Sequence, residues 1–134
     1  MNDDKSTLYP TSIGLDIENT ERFRKNISDD FIKRTFSDTE IEYCEKQSDP
    51  AQHFCARFAA KEAAVKALSQ LGIKVVVSKN ISISNNEDGL PLLKINDKII
   101  KEEYLELFSE LIFKVSLTHT KEIGAAIVLI IKKL

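Results

Sequence analysis

A chain of 134 residues is enough for one compact domain and too short for two ordinary ones. With 43% hydrophobic and 30% charged residues it has the composition of a folded domain that needs no disulfide staples to hold a core. A net charge of −2 excludes recognition of an acidic partner through overall charge, so such a partner must meet a local basic patch.

Met1 to Tyr9 are largely polar and Pro10 closes them off, so 1–10 is expected as a loose lead-in to a single domain over 11–134. They lack the apolar core of a secretory leader. Thr11 to Ile17 (TSIGLDI) has the β-branched content of a first strand, with Asp16 near its C-terminal end. Thr20 can cap a short helix through ERFRKNI and Ser28 another through DDFIKRTF. Ser37 and Glu40 form the capping-box pattern before a helix running to about Lys46.

Pro50 to Leu71 is the strongest helix in the chain, with proline in its first turn, alanines throughout and Gly72 as its stop. Phe54, Phe58, Val65 and Leu68 give it an apolar stripe. The period then changes. Ile81 and Ile83 alternate with serines, NNEDG supplies a turn at 85–89, and Leu90 to Ile95 answers as the second strand of a hairpin. Lys98 to Leu111 reads as an amphipathic helix, and Phe113–Leu117 and Ala125–Ile131 as a final strand pair. Scattered antiparallel strands with one long helix predict an α+β fold.

Cys44 and Cys55 have no metal-type spacing and are expected as reduced thiols. The longest apolar stretch, Ile123 to Ile131, is broken by Gly124 and too short to span a bilayer, so the expectation is a cytoplasmic protein with no membrane association. An acidic pI near 5.7, no tryptophan and no interleaved basic and aromatic surface argue against nucleic acid as a partner.

Three separated segments carry chemistry. Asp16 ends an apolar strand, a position that often only caps a turn. Arg57-Phe-Ala-Ala-Lys61-Glu62-Ala-Ala-Val-Lys66 could be a solvated helix face with an ordinary Glu62–Lys66 pair. Glu62, however, stands beside the apolar stripe, where a carboxylate is costly to bury without a cation. His119 ends a strand among hydroxyl residues in SLTHT, where a turn histidine is the commoner occupant.

Together, GLD on a first strand, FAAKEAAVK on a helix and SLTHT at a late strand end resemble the acyl-carrier-protein synthase type of phosphopantetheinyl transferase, in segment order and over about Thr11 to Lys132. The resemblance implies the 4'-phosphopantetheinyl transferase fold, a small antiparallel sheet packed on a long central helix. It implies transfer of phosphopantetheine from coenzyme A to a serine of an apo acyl carrier protein, whether of fatty-acid, polyketide or another pathway. Asp16 and Glu62 match the residues that hold magnesium, a hard ion suited to carboxylates. Lys66 matches a lysine placed to meet a phosphate of coenzyme A. Arg57 and Lys61 are further candidates for coenzyme contact, His119 neighbours the nucleotide portion, and Gly89 and Pro91 resemble the hairpin beside the adenine. Glu62, directly or through a water, is the candidate base for the serine proton. Arg22, Arg24 and Lys25, with Lys33 and Arg34 following, match the basic region that docks an acidic carrier. The resemblance further implies a homotrimer with active sites between subunits.

The sequence departs from the family pattern at Ala56, usually glycine, and at Leu90, usually the hairpin lysine. Both bear on nucleotide contacts and leave the carboxylate pair intact. The alternative reading, a carrier-binding domain of the same fold with weak transfer, is opposed by the joint presence of Asp16, Glu62, Lys66 and His119.

Overall fold

The computed structural model describes residues 8–133. The elements run β1 (Leu8–Asn19), α1 (Thr20–Asn26), α2 (Asp29–Thr35), α3 (Asp38–Glu45), α4 (Pro50–Ser69), β2 (Ile81–Asn85), β3 (Pro91–Ile95), α5 (Leu105–Ser109), β4 (Leu111–His119) and β5 (Ile123–Lys133). This is the α+β architecture expected from the order of patterns. β1, β5 and β4 form one antiparallel sheet in that order, and β2 and β3 form a separate hairpin.

Alternation in the strands decides what faces α4. Ser12, Gly14 and Asp16 of β1 point inward with Ala126, Val128 and Ile130 of β5, while Ile13, Leu15 and Ile17 point out. The helix lies on the inner face closely enough to require glycine beneath it. A Cβ on Gly14 would fall 1.9 Å from the carbonyl oxygen of Ala63, and one on Gly124 would fall 2.9 Å from the amide nitrogen of Ala56. Alanine answers glycine from the helix side: Ala56, Ala59, Ala60, Ala63, Ala64 and Ala67 are all buried.

The expected stripe on α4 is therefore only half of what it buries. Phe54 and Leu68 are buried, but Phe58 and Val65 are only partly so. The helix is enclosed by the sheet, by β2, and by a second core in which Phe23, Phe31, Phe36, Phe54 and Phe58 meet in a chain of tilted ring contacts. Its C-terminus closes as expected at Gly72, whose amide meets the Ser69 carbonyl while the Ile73 amide meets that of Leu68. Cys44 and Cys55 are both free and both buried, and burial pushes the Cys44 thiol up to about 12.

Three local expectations are corrected. Pro10 does not stop the chain but lies within β1, at the sheet edge, beside a register shift between Pro10 and Ser12 that accommodates its missing N–H. The rest of the expected lead-in, 1–7, lies outside the described residues. The cap of α1 is Asn19, whose side chain accepts from the Arg22 amide at 2.8 Å; Thr20 is instead buried against Cys55. The helix expected over Lys98–Leu111 is broken into 3₁₀ turns at Asp97–Ile99 and Glu102–Tyr104 followed by α5, because Ile100 adopts extended backbone to bury itself in the core. The capping box of α3 is present as read, with Ser37 accepting from the Glu40 amide and Glu40 accepting from that of Ser37.

Candidate active site

Asp16 is 8% exposed on the inner face of β1, opposite α4. One carboxylate oxygen, Oδ1, accepts from the Lys66 ammonium at 3.0 Å, and the same ammonium donates to the Leu15 carbonyl at 2.9 Å. The other, Oδ2, is buried without a hydrogen-bond partner. An orphaned buried carboxylate oxygen is costly and marks a position that a cation would satisfy. Period two along β1 brings Glu18 to the same face, a residue the sequence reading passed over. Burial first, then a hydrogen bond shared with Asp16 and the charges of Asp16 and Glu62, push the Glu18 carboxyl up to about 8, against the pull of Arg22. Burial and Asp16 likewise raise the Glu62 carboxyl, against the opposing pull of Lys66. The three acids carry more negative charge than Lys66 and Arg22 offset, and carboxylates such as Asp16 and Glu62 suit a hard divalent cation. Among the described residues no group of three or more His, Cys, Asp or Glu is arranged to hold a metal ion. An ion held by Asp16 and Glu62 alone would take its remaining ligands from water and substrate oxygens.

Lys61 is corrected: it is no coenzyme contact in this structure. Its side chain is fully buried and its ammonium donates to Glu40 Oε1 at 2.7 Å and to the carbonyl oxygens of Ser78 and Ile81. Glu40 Oε2 accepts from the Ile83 amide at 3.1 Å. This pair ties α3, α4 and β2 together, and burial holds the ammonium below its ordinary range.

A second group of side chains assembles at the N-terminal half of α4. Arg57 is 4% exposed; its guanidinium carbon lies 4.2 Å from the Tyr43 ring centroid, and its Nε has no hydrogen-bond partner. Arg57 borders a cleft of about 290 Å³ with Thr39, Tyr43, Ile83, Ser84 and Asn85. Asn85, the register partner of Pro91, is the hairpin residue on this cleft; Pro91 and Gly89, in the turn beyond, are not among its lining residues. His119 lies at the exposed end of β4, its ring 4.7 Å from that of His53 on α4, and His53 lies 6.0 Å from Tyr43. His53 and Tyr43 were not singled out in the sequence. The signal for His53 was available, since it stands one helical turn before Arg57 and so shares its face.

The sheet sets the separation between the two groups. Gly124 of β5 is register partner to Glu18 on one side and His119 on the other. Strand spacing puts those two backbones about 10 Å apart, and the glycine leaves room for α4 to cross between them.

Of the basic residues expected to dock a carrier, Arg22, Arg24 and Lys25 are all exposed on α1. Arg22 stands with Glu18 at the edge of a hollow of about 180 Å³ lined by Phe23, Ile27, Phe31 and Phe58. Arg24 is already engaged: its guanidinium grips both Asp49 oxygens, at 2.9 and 3.0 Å, and also Glu21 at 3.2 Å.

Comparison with known proteins agrees with this geometry. Residues 12–120 match the family described as the 4'-phosphopantetheinyl transferase superfamily. A holo-[acyl-carrier-protein] synthase of Syntrophus aciditrophicus is 37% identical over 125 residues, covering 92% of this chain and 95% of its own. A Bacillus anthracis holo-(acyl-carrier-protein) synthase in complex with CoA (3',5'-ADP) is 28% identical with a TM-score of 0.72, covering 92% of this chain and 97% of its own. An ACPS–CoA complex from Chronobacterium ammoniagenes, 20% identical, shares the fold with a TM-score of 0.75 over 96% of this chain and 99% of its own. With FAAKEAAVK on the long helix, GLD beneath it and the relatives aligned nearly end to end, the chain belongs to the holo-[acyl-carrier-protein] synthase family of the 4'-phosphopantetheinyl transferase superfamily.

Proposed function

We propose that this chain transfers the 4'-phosphopantetheine group from coenzyme A to a serine of an apo acyl carrier protein, leaving adenosine 3',5'-bisphosphate, with magnesium as its cofactor. The observation that carries the reading is the buried Asp16 with its orphaned oxygen, set beside Glu62 and Lys66 where Gly14 lets β1 and α4 touch. Asp16 and Glu62 would hold the ion, which when bound supplies positive charge to the pyrophosphate oxygens. Lys66, which is largely exposed and rests on Asp16, would turn to a phosphate of coenzyme A. The serine oxygen forms a bond to the phosphorus bearing the pantetheine arm, and that phosphorus loses its bridging oxygen to the nucleotide. Glu62, whose carboxyl is raised by burial, is the candidate acceptor of the serine proton. Arg57, His119 and the hairpin at Gly89 and Pro91 would hold the nucleotide end. Arg22 and Lys25 would receive the acidic carrier beside the apolar hollow, with Arg24 supporting α1 from below.

The outer face of the sheet supports the trimer. Ile13, Leu15 and Ile17 are 49%, 58% and 61% exposed and adjoin Ile127, an apolar row that a second copy would cover. Two free buried thiols suit a reducing compartment, and no helix among the described residues is long and apolar enough to cross a membrane.

The test is mass spectrometry of an apo acyl carrier protein incubated with this protein, coenzyme A and magnesium. The expected result is a gain of one phosphopantetheine, abolished by chelator and by Glu62→Ala. No gain with a range of apo carriers would overturn the reading.

A further inference from the structure

His53 is not accounted for by the carboxylate group, by the aromatic core or by the hairpin. It lies on α4 in edge contact with His119 of β4, 4.7 Å between ring centroids, and next to Tyr43 of α3. One turn along the same helix, Arg57 packs its guanidinium over the Tyr43 ring. Three elements thus contribute an uninterrupted row: Arg57, Tyr43, His53, His119. Its charges are one-sided. The acid nearest His53 is Asp49, and both Asp49 oxygens are held by Arg24 of α1. The row therefore presents one fixed guanidinium and two imidazoles with no uncommitted carboxylate among them.

We propose that His53 is a further coenzyme-binding residue, forming with His119 a two-imidazole clamp for the 3'-phosphate monoester at the nucleotide end of coenzyme A. The inference rests on the reading above, which puts His119 and Arg57 at that end. A phosphate monoester is the group the row suits, because a dianion can accept hydrogen bonds from two imidazoles at once. In the free protein, burial, His119 and Arg57 hold the His53 imidazole below its ordinary 6.5. A dianion arriving alongside the two rings reverses the sign of the local field and favours the charged form. Binding near neutral pH is thus accompanied by proton uptake. The clamp discriminates coenzyme A from its 3'-dephospho form, which offers nothing for the second imidazole to hold.

The experiment compares the natural chain with His53→Phe, which keeps an aromatic ring against His119 and Tyr43 but has no nitrogen. Steady-state transfer is measured with coenzyme A and with 3'-dephospho-coenzyme A. Calorimetric binding of coenzyme A is measured in two buffers of different ionisation enthalpy. The substitution is expected to raise the KM for coenzyme A about tenfold, the value of one charge-assisted hydrogen bond. The dephospho donor and the KM for the carrier should change less than about twofold, and proton uptake on binding should fall. An unchanged KM for coenzyme A, an equal loss with both donors, or undiminished proton uptake would each overturn the clamp while leaving the transferase reading intact. A natural chain that transfers from neither donor would overturn both.

Discussion

Lys61 and Lys66 share one helix and one motif, yet they end in opposite surroundings. Lys61 is sealed against Glu40, whereas Lys66 is mostly in solvent with its ammonium on Asp16. Lys61→Met should therefore cost about 3–5 kcal/mol of stability by leaving the Glu40 carboxylate buried and uncompensated. Lys66→Met should cost less than Lys61→Met, because the Lys66 end of its pair is half in water although Asp16 is buried, and should also lower turnover. Urea midpoints and transfer rates for both variants check this, and a Lys61→Met protein as stable as the natural chain would contradict the burial argument. The motif alone could not separate the two lysines. Helical period places both on α4, but what fixes Lys61 is Glu40 on α3 and two carbonyls of the segment leading into β2, contacts that exist only after folding. Glu18 was nearer to hand, because alternation from Asp16 requires it to share that face.

At the scale of elements, the seating of α4 on β1 decides whether the carboxylates meet. Gly14→Ala would drive a methyl group into the Ala63 carbonyl and the Ala67 amide, backbone that cannot swing aside. The expected loss is at least about 3 kcal/mol, the upper end of overpacking costs. At Gly89 the space around a Cβ is open and only its φ of +81° resists substitution, so Gly89→Ala should cost about 1–2 kcal/mol. Thermal melts of the two variants test the contrast. Strand pairs, hairpin, capping box and long helix were legible because each is fixed by local pattern. The helix expected over Lys98–Leu111 was not, because burial of Ile100 overrides the propensity of the glutamates around it. Nor could pattern show that alanine, not the phenylalanine and leucine stripe alone, faces the sheet. That follows from how closely the layers approach.

For the molecule as a whole, the outer sheet face separates a sufficient protomer from one that needs its neighbours. Leu15 is 58% exposed at the centre of that face, opposite Ile127, and directly precedes Asp16. Leu15→Lys should leave the inner packing untouched, because its side chain points away from α4, while preventing association. Light scattering is expected to show a trimer for the natural chain and a monomer for the variant. Transfer activity should fall with the loss of assembly if the nucleotide end is completed by a neighbour. A monomeric natural chain with full activity would rule that arrangement out. Association would also remove a liability, since an apolar sheet face left in water invites indiscriminate sticking.

The row Glu18–Gly124–His119 has a metric meaning as well. Hydrogen bonding fixes the step between strands at about 4.8 Å, so the distance from the carboxylates to the imidazoles comes in whole strands and cannot drift gradually with side-chain size. Slipping the register by one residue would turn every side chain of a strand to the other face, so adjustment by that route is closed too. Were one chain to hold both ends of the donor, redesign for a longer or shorter nucleotide end would have to rebuild loops and helix ends around that fixed spacing.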